Sequence, residues 1–142
     1  MTVSGRPVLL VEDEALIAAV AADILDELGY AVVEVGSAKA AMDFAQTRID
    51  DVQVAIVDLG LPDRKGDELV FDLRAMRADL PVVIATGYGS DAVRSRLKGE
   101  QGIVILTKPY DISHLRAALD SLKLPHAPNG NGIAGQAAVI PD

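Results

Sequence analysis

Pro7-Val8-Leu9-Leu10-Val11-Glu12-Asp13-Glu14 is the stretch that decides how this chain folds. Residues 8–11 are apolar without alternation, which predicts a strand covered on both faces, the situation of a central strand in a parallel sheet. The apolar run then stops on three acidic residues. Carboxylates at the carboxyl end of a buried strand lie where open α/β sheets bind their ligands.

The same order recurs downstream. Ile17, Val20, Ile24 and Leu28 repeat at helical spacing, and Gly29 supplies the left-handed residue that closes a helix. Residues 31–35 predict a second strand, and Ser37 is placed to cap a helix reaching about Gln46. Residues 54–58 predict a third strand, ending on Asp58, and after the Gly60-Leu61-Pro62 turn Leu69, Val70, Leu73 and Met76 mark a third helix. Residues 81–86 read as the fourth strand, followed by a weakly apolar helix over 91–97. Residues 103–106 read as the fifth strand, and Ile112, Leu115, Leu119 and Leu122 give the last helical face. Five repeats of strand then helix require right-handed crossovers and helices on both faces, so the fold class is a doubly wound α/β sandwich on a five-stranded parallel sheet.

With 142 residues, half of them apolar and 24% charged, the chain suits one soluble domain. We expect that domain over residues 7–124, a short extension over 1–6, and a flexible tail over 125–142, where Pro, Asn, Gly and Ala take over. The formal net charge of -8 opposes direct nucleic-acid binding, which needs Lys and Arg against phosphates. The absence of cysteine excludes a disulfide framework, a thiolate metal site and a thiol nucleophile. No apolar run approaches the ~20 residues of a membrane span, and residues 1–6 lack the apolar core of a signal peptide. The expectation is a cytoplasmic protein without membrane contact.

Parallel strands deliver their carboxyl ends to one edge, which collects Glu12 and Asp13 from the first, Asp58 from the third, Thr86 from the fourth and Lys108-Pro109 from the fifth. Taken singly, each residue has an ordinary reading: Asp58 as a turn residue, Thr86 as a β-branched strand residue, Lys108 as a surface lysine. Taken together they are a site. Three carboxylates would repel unless a cation lies among them, and an all-oxygen set suits Mg²⁺, with Mn²⁺ as an alternative. A lysine and a threonine hydroxyl beside that cation could surround a phosphoryl group, with Asp58 as the nucleophile. His114 is expected to face solvent, and Asp50-Asp51 is expected to be a solvated loop.

In this arrangement the chain resembles the receiver domains of bacterial two-component systems over roughly residues 7–122. The resemblance rests on Glu12-Asp13, Asp58 with Leu61-Pro62 after it, Thr86, and Lys108-Pro109-Tyr110. It implies a flavodoxin-like sheet of order 2-1-3-4-5. It also implies that Asp58 accepts a phosphoryl group from a histidine kinase or histidine phosphotransfer protein. Asp13, Asp58 and the Gly60 backbone carbonyl would bind Mg²⁺, with Glu12 acting through metal-bound water. Lys108 would pair with a phosphoryl oxygen, the Lys108-Pro109 peptide would be cis, and Thr86 would follow the new phosphate. Such a domain is a signalling module, not an enzyme beyond its own phosphotransfer and dephosphorylation. A stand-alone receiver would act through a downstream protein target.

The segment Ile84-Ala85-Thr86-Gly87-Tyr88 is also similar to the Phe-Ala-Thr-Gly-x-Tyr motif of an alphaproteobacterial subgroup, with Ile84 in place of Phe and Tyr88 directly after Gly87. Where many receivers carry a switching aromatic, this chain has Ile105. Signal transmission is therefore expected through Thr86 and Tyr88 instead, with Ile105 staying packed. Two rivals remain at this point. A degenerate receiver would only bind partners. A phosphohydrolase of the haloacid dehalogenase type would need a second Asp two residues after the nucleophile, where this chain has Gly60. A dinucleotide site is opposed by Glu12-Asp13-Glu14 standing where a glycine-rich turn would be.

Overall fold

The computed structural model describes residues 6–87, 90–97 and 99–124. In chain order the elements are β1 (Val8–Val11), α1 (Ala15–Glu27), β2 (Val32–Val35), α2 (Ala38–Arg48), a 3₁₀ turn (Ile49–Asp51), β3 (Val54–Asp58), α3 (Gly66–Met76), β4 (Val82–Thr86), α4 (Ser90–Arg96), β5 (Ile103–Thr107) and α5 (Ile112–Ser121). The strands form one parallel sheet of order β2-β1-β3-β4-β5. Tyr88 and the tail over 125–142 lie outside the described residues.

The continuous apolar character of β1 has the cause its sequence suggested. Leu9 and Val11 join Ala55, Val57, Val82 and Ile84 in a core completed by α2, α3 and α4. Val8 and Leu10 join Val54, Ile56 and Val83 in a second core completed by α1 and α5. Successive side chains of a strand point to opposite faces, so a strand between two cores has no position for a polar residue.

Local signals close the helices. Gly29 adopts φ +97 after α1, the left-handed geometry that costs a residue with a Cβ about 1–2 kcal/mol. The Ser37 Oγ accepts the Ala40 N–H at 3.0 Å at the start of α2. Asp111 caps α5 by accepting the His114 N–H at 3.0 Å, while His114 Nδ1 accepts the Asp111 N–H at 3.3 Å. Exposed as expected, His114 therefore completes a capping box. Asp50 and Asp51 lie in the 3₁₀ turn and not in a loop, with Asp51 paired to Arg48 at 2.6 Å.

The face of α1 departs from its apolar periodicity. The residues buried against the sheet are Ala18, Ala21 and Leu25, whereas Ile17, Ile24 and Leu28 are half-buried and Val20 is exposed. The stripe is displaced by one residue, about 100° around the helix. Small side chains face the sheet here, and they contribute little to a hydrophobic pattern.

Tyr30 is buried at the end of the loop after α1, and burial, with a smaller push from Asp120, raises its phenol to about 12. The neutral form is favoured in the folded protein. Stability linked to Tyr30 is thus complete below the ordinary tyrosine value near 10 and is lost as pH rises toward 12. In urea titrations at pH 9 and pH 11.5, the parent should lose about 1–2 kcal/mol more than Tyr30→Phe over this interval. Equal losses would remove the assignment.

Candidate functional site

The register of the sheet aligns the strand ends. Val11 pairs with Val57, Asp58 with Ala85, and Thr86 with Thr107, so the residues that follow β1 and β5 meet the last residues of β3 and β4 at one edge. The order of strand addition switches from one side of β1 to the other between β2 and β3, which opens a crevice between β1 and β3. Glu12 and Asp13 stand on one side of it and Asp58 on the other.

Glu12 and Asp58 are buried, whereas Asp13 is exposed. One carboxylate oxygen from each of the three lies within 4.8 Å of the others. Lys108 enters from the far side of the sheet, with its Nζ 2.9 Å from Asp58 Oδ1 and 3.1 Å from Glu12 Oε1. The Glu14 N–H donates to the second Glu12 oxygen at 3.2 Å, and the Gly60 N–H lies 3.4 Å from Asp58 Oδ1.

The electrostatics follow from this packing. Burial pushes the Glu12 carboxyl up, against the opposing effects of the Glu14 amide and the Lys108 ammonium. Burial acts on Lys108 in the direction of neutrality, but hydrogen bonds to Asp58 and Glu12 outweigh it and hold the ammonium above its ordinary value. Lysine is therefore a fixed positive charge between two buried carboxylates.

Thr86 is buried at the end of β4, and its carbonyl accepts the Lys108 N–H at 2.8 Å, joining the fourth and fifth strand ends. The Lys108-Pro109 peptide is cis. Ile105 is half-buried and packs against the core beneath α4. Tyr110 is half-buried beside the other core, and burial raises its phenol.

Two features of the segment after β3 were not visible in the sequence. Asp63 accepts the Ala38 N–H and the Lys39 N–H, each at 2.9 Å, and so reaches α2 from the loop after β3. Asp67 is buried in the first turn of α3 and pairs through Oδ2 with Arg96 of α4 at 2.6 Å. Neither partnership follows a local spacing rule.

The donor set fits a hard divalent cation: three convergent carboxylates, all-oxygen ligation, and a main-chain loop at Gly60 beside them. A five-stranded parallel sheet with a carboxylate cluster and a lysine at its β1/β3 crevice defines a receiver-type signalling domain. The sequence profile of the response regulator receiver domain matches residues 8–120, and the chain belongs to that family. It is 32% identical over 116 residues to the transcriptional regulatory protein PdtaR of Mycobacterium tuberculosis, covering 81% of this chain. The match spans 55% of the length of PdtaR. A receiver domain from Methylobacillus flagellatus superposes with a TM-score of 0.70 at 31% identity, covering 84% of this chain and 99% of that one. The chemotaxis response regulator CheY4 of Vibrio cholerae shares the fold, with a TM-score of 0.74 at 24% identity and the same coverage. Among the described residues no helix is long and apolar enough to cross a membrane.

Proposed function

We propose that this domain is a phosphorylation switch in which Asp58 takes a phosphoryl group from a histidine kinase or a histidine phosphotransfer protein. The observation that carries the reading is the convergence of Glu12, Asp13 and Asp58 around one point, with the Lys108 ammonium 2.9 Å from Asp58. An Asp58 carboxylate oxygen attacks phosphorus, the phosphorus–nitrogen bond of the donor breaks, and its electron pair returns to the imidazole. Asp13, Asp58 and the Gly60 carbonyl would hold Mg²⁺ directly, and Glu12 through water. When bound, the cation neutralises charge on the phosphoryl oxygens.

The chain's own groups do the rest. Lys108 lies within reach of an oxygen on phosphorylated Asp58, and the Thr86 hydroxyl, on the adjoining strand, is placed to follow the same group. Movement of Thr86 would pass to Tyr88, two residues further along the chain, while Ile105 stays packed. Beside Lys108, Leu16, Ile17, Val20, Pro109 and Tyr110 line a groove of about 440 Å³. Leu16 and Val20 are unusually exposed for their size, which suits contact with an apolar face of the phosphoryl donor.

Mass spectrometry after incubation with acetyl phosphate tests the reading. With Mg²⁺ the parent should gain one phosphoryl group, and chelation or Asp58→Asn should reduce uptake at least a hundredfold, to about the background level. Uptake by Asp58→Asn at the parent's rate would reassign the acceptor. No uptake by the parent would favour a domain that only binds partners.

A further inference from the structure

We infer that Asp63 is a positioning residue for the metal-binding loop, holding the Gly60 backbone in place by anchoring that loop to the N-terminus of α2. This rests on the proposal that Gly60 contributes a metal ligand.

Residues 59–65 connect Asp58 to α3; the start of the segment is tied to β4, and its far end closes back on its own first residue. The Leu59 N–H donates to Ala85 at 2.9 Å, and the Gly66 N–H donates back to the Leu59 carbonyl at 2.9 Å. Between those ties, the Leu61 side chain is buried while Pro62 and Asp63 are exposed. Asp63 supplies the hold at the crest. Its Oδ1 accepts the Ala38 N–H and its Oδ2 the Lys39 N–H, both at 2.9 Å.

Those amides are among the first of α2, which have no partner inside the helix. Ser37 serves the next one, Ala40, at 3.0 Å, and is the ordinary local cap. Division of labour is the informative point. A helix that already has its own N-cap draws a carboxylate from 25 positions away, and both carboxylate oxygens are engaged. The two amides hold the Asp63 carboxyl below the usual range, which favours its anion. Two charge-assisted bonds in a fork fix direction as well as distance.

The consequence falls on Gly60, three residues before Asp63. A Cβ at Gly60 would meet nothing within 4 Å, so no neighbouring group presses on Gly60 itself. Its backbone is placed by its neighbours' tethers: Leu61 is buried in the core, Arg64 pairs with Asp72 of α3 at 2.6 Å, and the Asp63 fork ties the loop to α2. Residues that hold a metal ligand in position typically contribute about 10–100-fold to metal affinity when removed. Exposure of Asp63 to solvent argues for the lower end.

Mn²⁺ affinity, read by electron paramagnetic resonance of the free ion, tests this without any phosphotransfer. Four proteins are compared: the parent, Asp63→Ala, Asp63→Asn and Ser37→Ala. Asp63→Ala should weaken binding about tenfold. Asp63→Asn, which keeps an acceptor oxygen for one amide but carries no charge, should recover much of that loss. Ser37→Ala removes a cap from the same helix and leaves the loop tether intact, so it should bind Mn²⁺ like the parent even though it melts earlier. Three results overturn the inference: Asp63→Ala binding as the parent does, Ser37→Ala binding as weakly as Asp63→Ala, or Asp63→Asn showing no recovery, which would reduce the effect to lost charge. If the parent itself binds no Mn²⁺, the metal site proposed above fails and this inference with it; a parent that binds beside an unaltered Asp63→Ala defeats the inference alone.

Discussion

Gly66→Ala should lower the melting temperature by about 10 °C or more, while Gly60→Ala, in the same loop region, should change it by no more than about 2 °C. The difference comes from what a methyl group would meet. At Gly66 a Cβ would lie 2.4 Å from the Asp58 carbonyl oxygen, 2.8 Å from Leu59 Cα and 3.0 Å from the Asp58 carbonyl carbon. All three are backbone atoms in or beside the central strand, and no rotamer change relieves the contact. At Gly60 the same atom would enter open space. Helix propensity alone would favour alanine at Gly66 by up to about 1 kcal/mol. Overpacking a rigid site costs about 1–3 kcal/mol and can exceed that, so the collision decides the sign.

Relief requires α3 to move away from β3. That movement would carry off Asp67, the next residue, whose carboxylate is buried against Arg96 of α4. It would also disturb the Gly66 to Leu59 hydrogen bond that closes the phosphoacceptor loop. Gly66→Ala should therefore lose phosphoryl uptake from acetyl phosphate as well as stability. Circular dichroism melts of the two variants, followed by mass spectrometry, check both outcomes. A Gly66→Ala protein that melts within 2 °C of the parent would show that α3 is not packed on the Asp58 backbone as described.

How much was legible follows from which forces each feature uses. β1 and β3 could be read directly, because a strand between two cores is apolar at every position and its end is marked by the first charge. Glu12, Asp13, Asp58, Thr86 and Lys108 could be read as one site because parallel strands bring their ends to one edge whatever the loops do. The buried face of α1 could not. Ala18 and Ala21 let the helix approach the sheet closely, and alanine is nearly silent in a hydrophobic pattern. Val20, one of the larger residues on which that pattern rests, is exposed in the groove beside Lys108.

Asp63, Gly66 and Asp67 were illegible for another reason. Their partners lie on separate elements: α2 for Asp63, the β3 backbone for Gly66 and α4 for Asp67. A single sequence carries no signal for a pairing of that kind, since Asp-Arg-Lys-Gly-Asp reads as an ordinary polar turn leading into a helix. The reading from strand ends finds the groups that do chemistry. It does not find the groups that keep them in register, which depend on contacts settled only after the helices have packed.

Lys108→Ala is expected to destabilise the metal-free protein by about 2–3 kcal/mol and, at the same time, to tighten its binding of Mg²⁺. Lys108 is the positive charge found between Asp58 and Glu12, at 2.9 and 3.1 Å, and both carboxylates are buried. Removing one partner from a buried ion pair typically costs about 3–5 kcal/mol, because the remaining charge keeps its desolvation penalty. Lys108 is 18% exposed, so water can take up part of its role, and the lower figure follows. In the parent, a cation arriving at the carboxylates meets an ammonium already bound to two of them and must displace or repel it. Without Lys108 that competition is gone, and the cation also relieves the repulsion between Glu12 and Asp58. Binding to the folded state alone raises stability by RT ln(1 + [Mg²⁺]/Kd), so millimolar Mg²⁺ should raise the melting temperature of Lys108→Ala by more than it raises that of the parent. Thermal melts with and without Mg²⁺, paired with calorimetric titration of both proteins, measure the two effects independently. Equal Mg²⁺-induced shifts, or weaker binding in the variant, would mean that Lys108 and the cation occupy the crevice without competing for the same carboxylate oxygens.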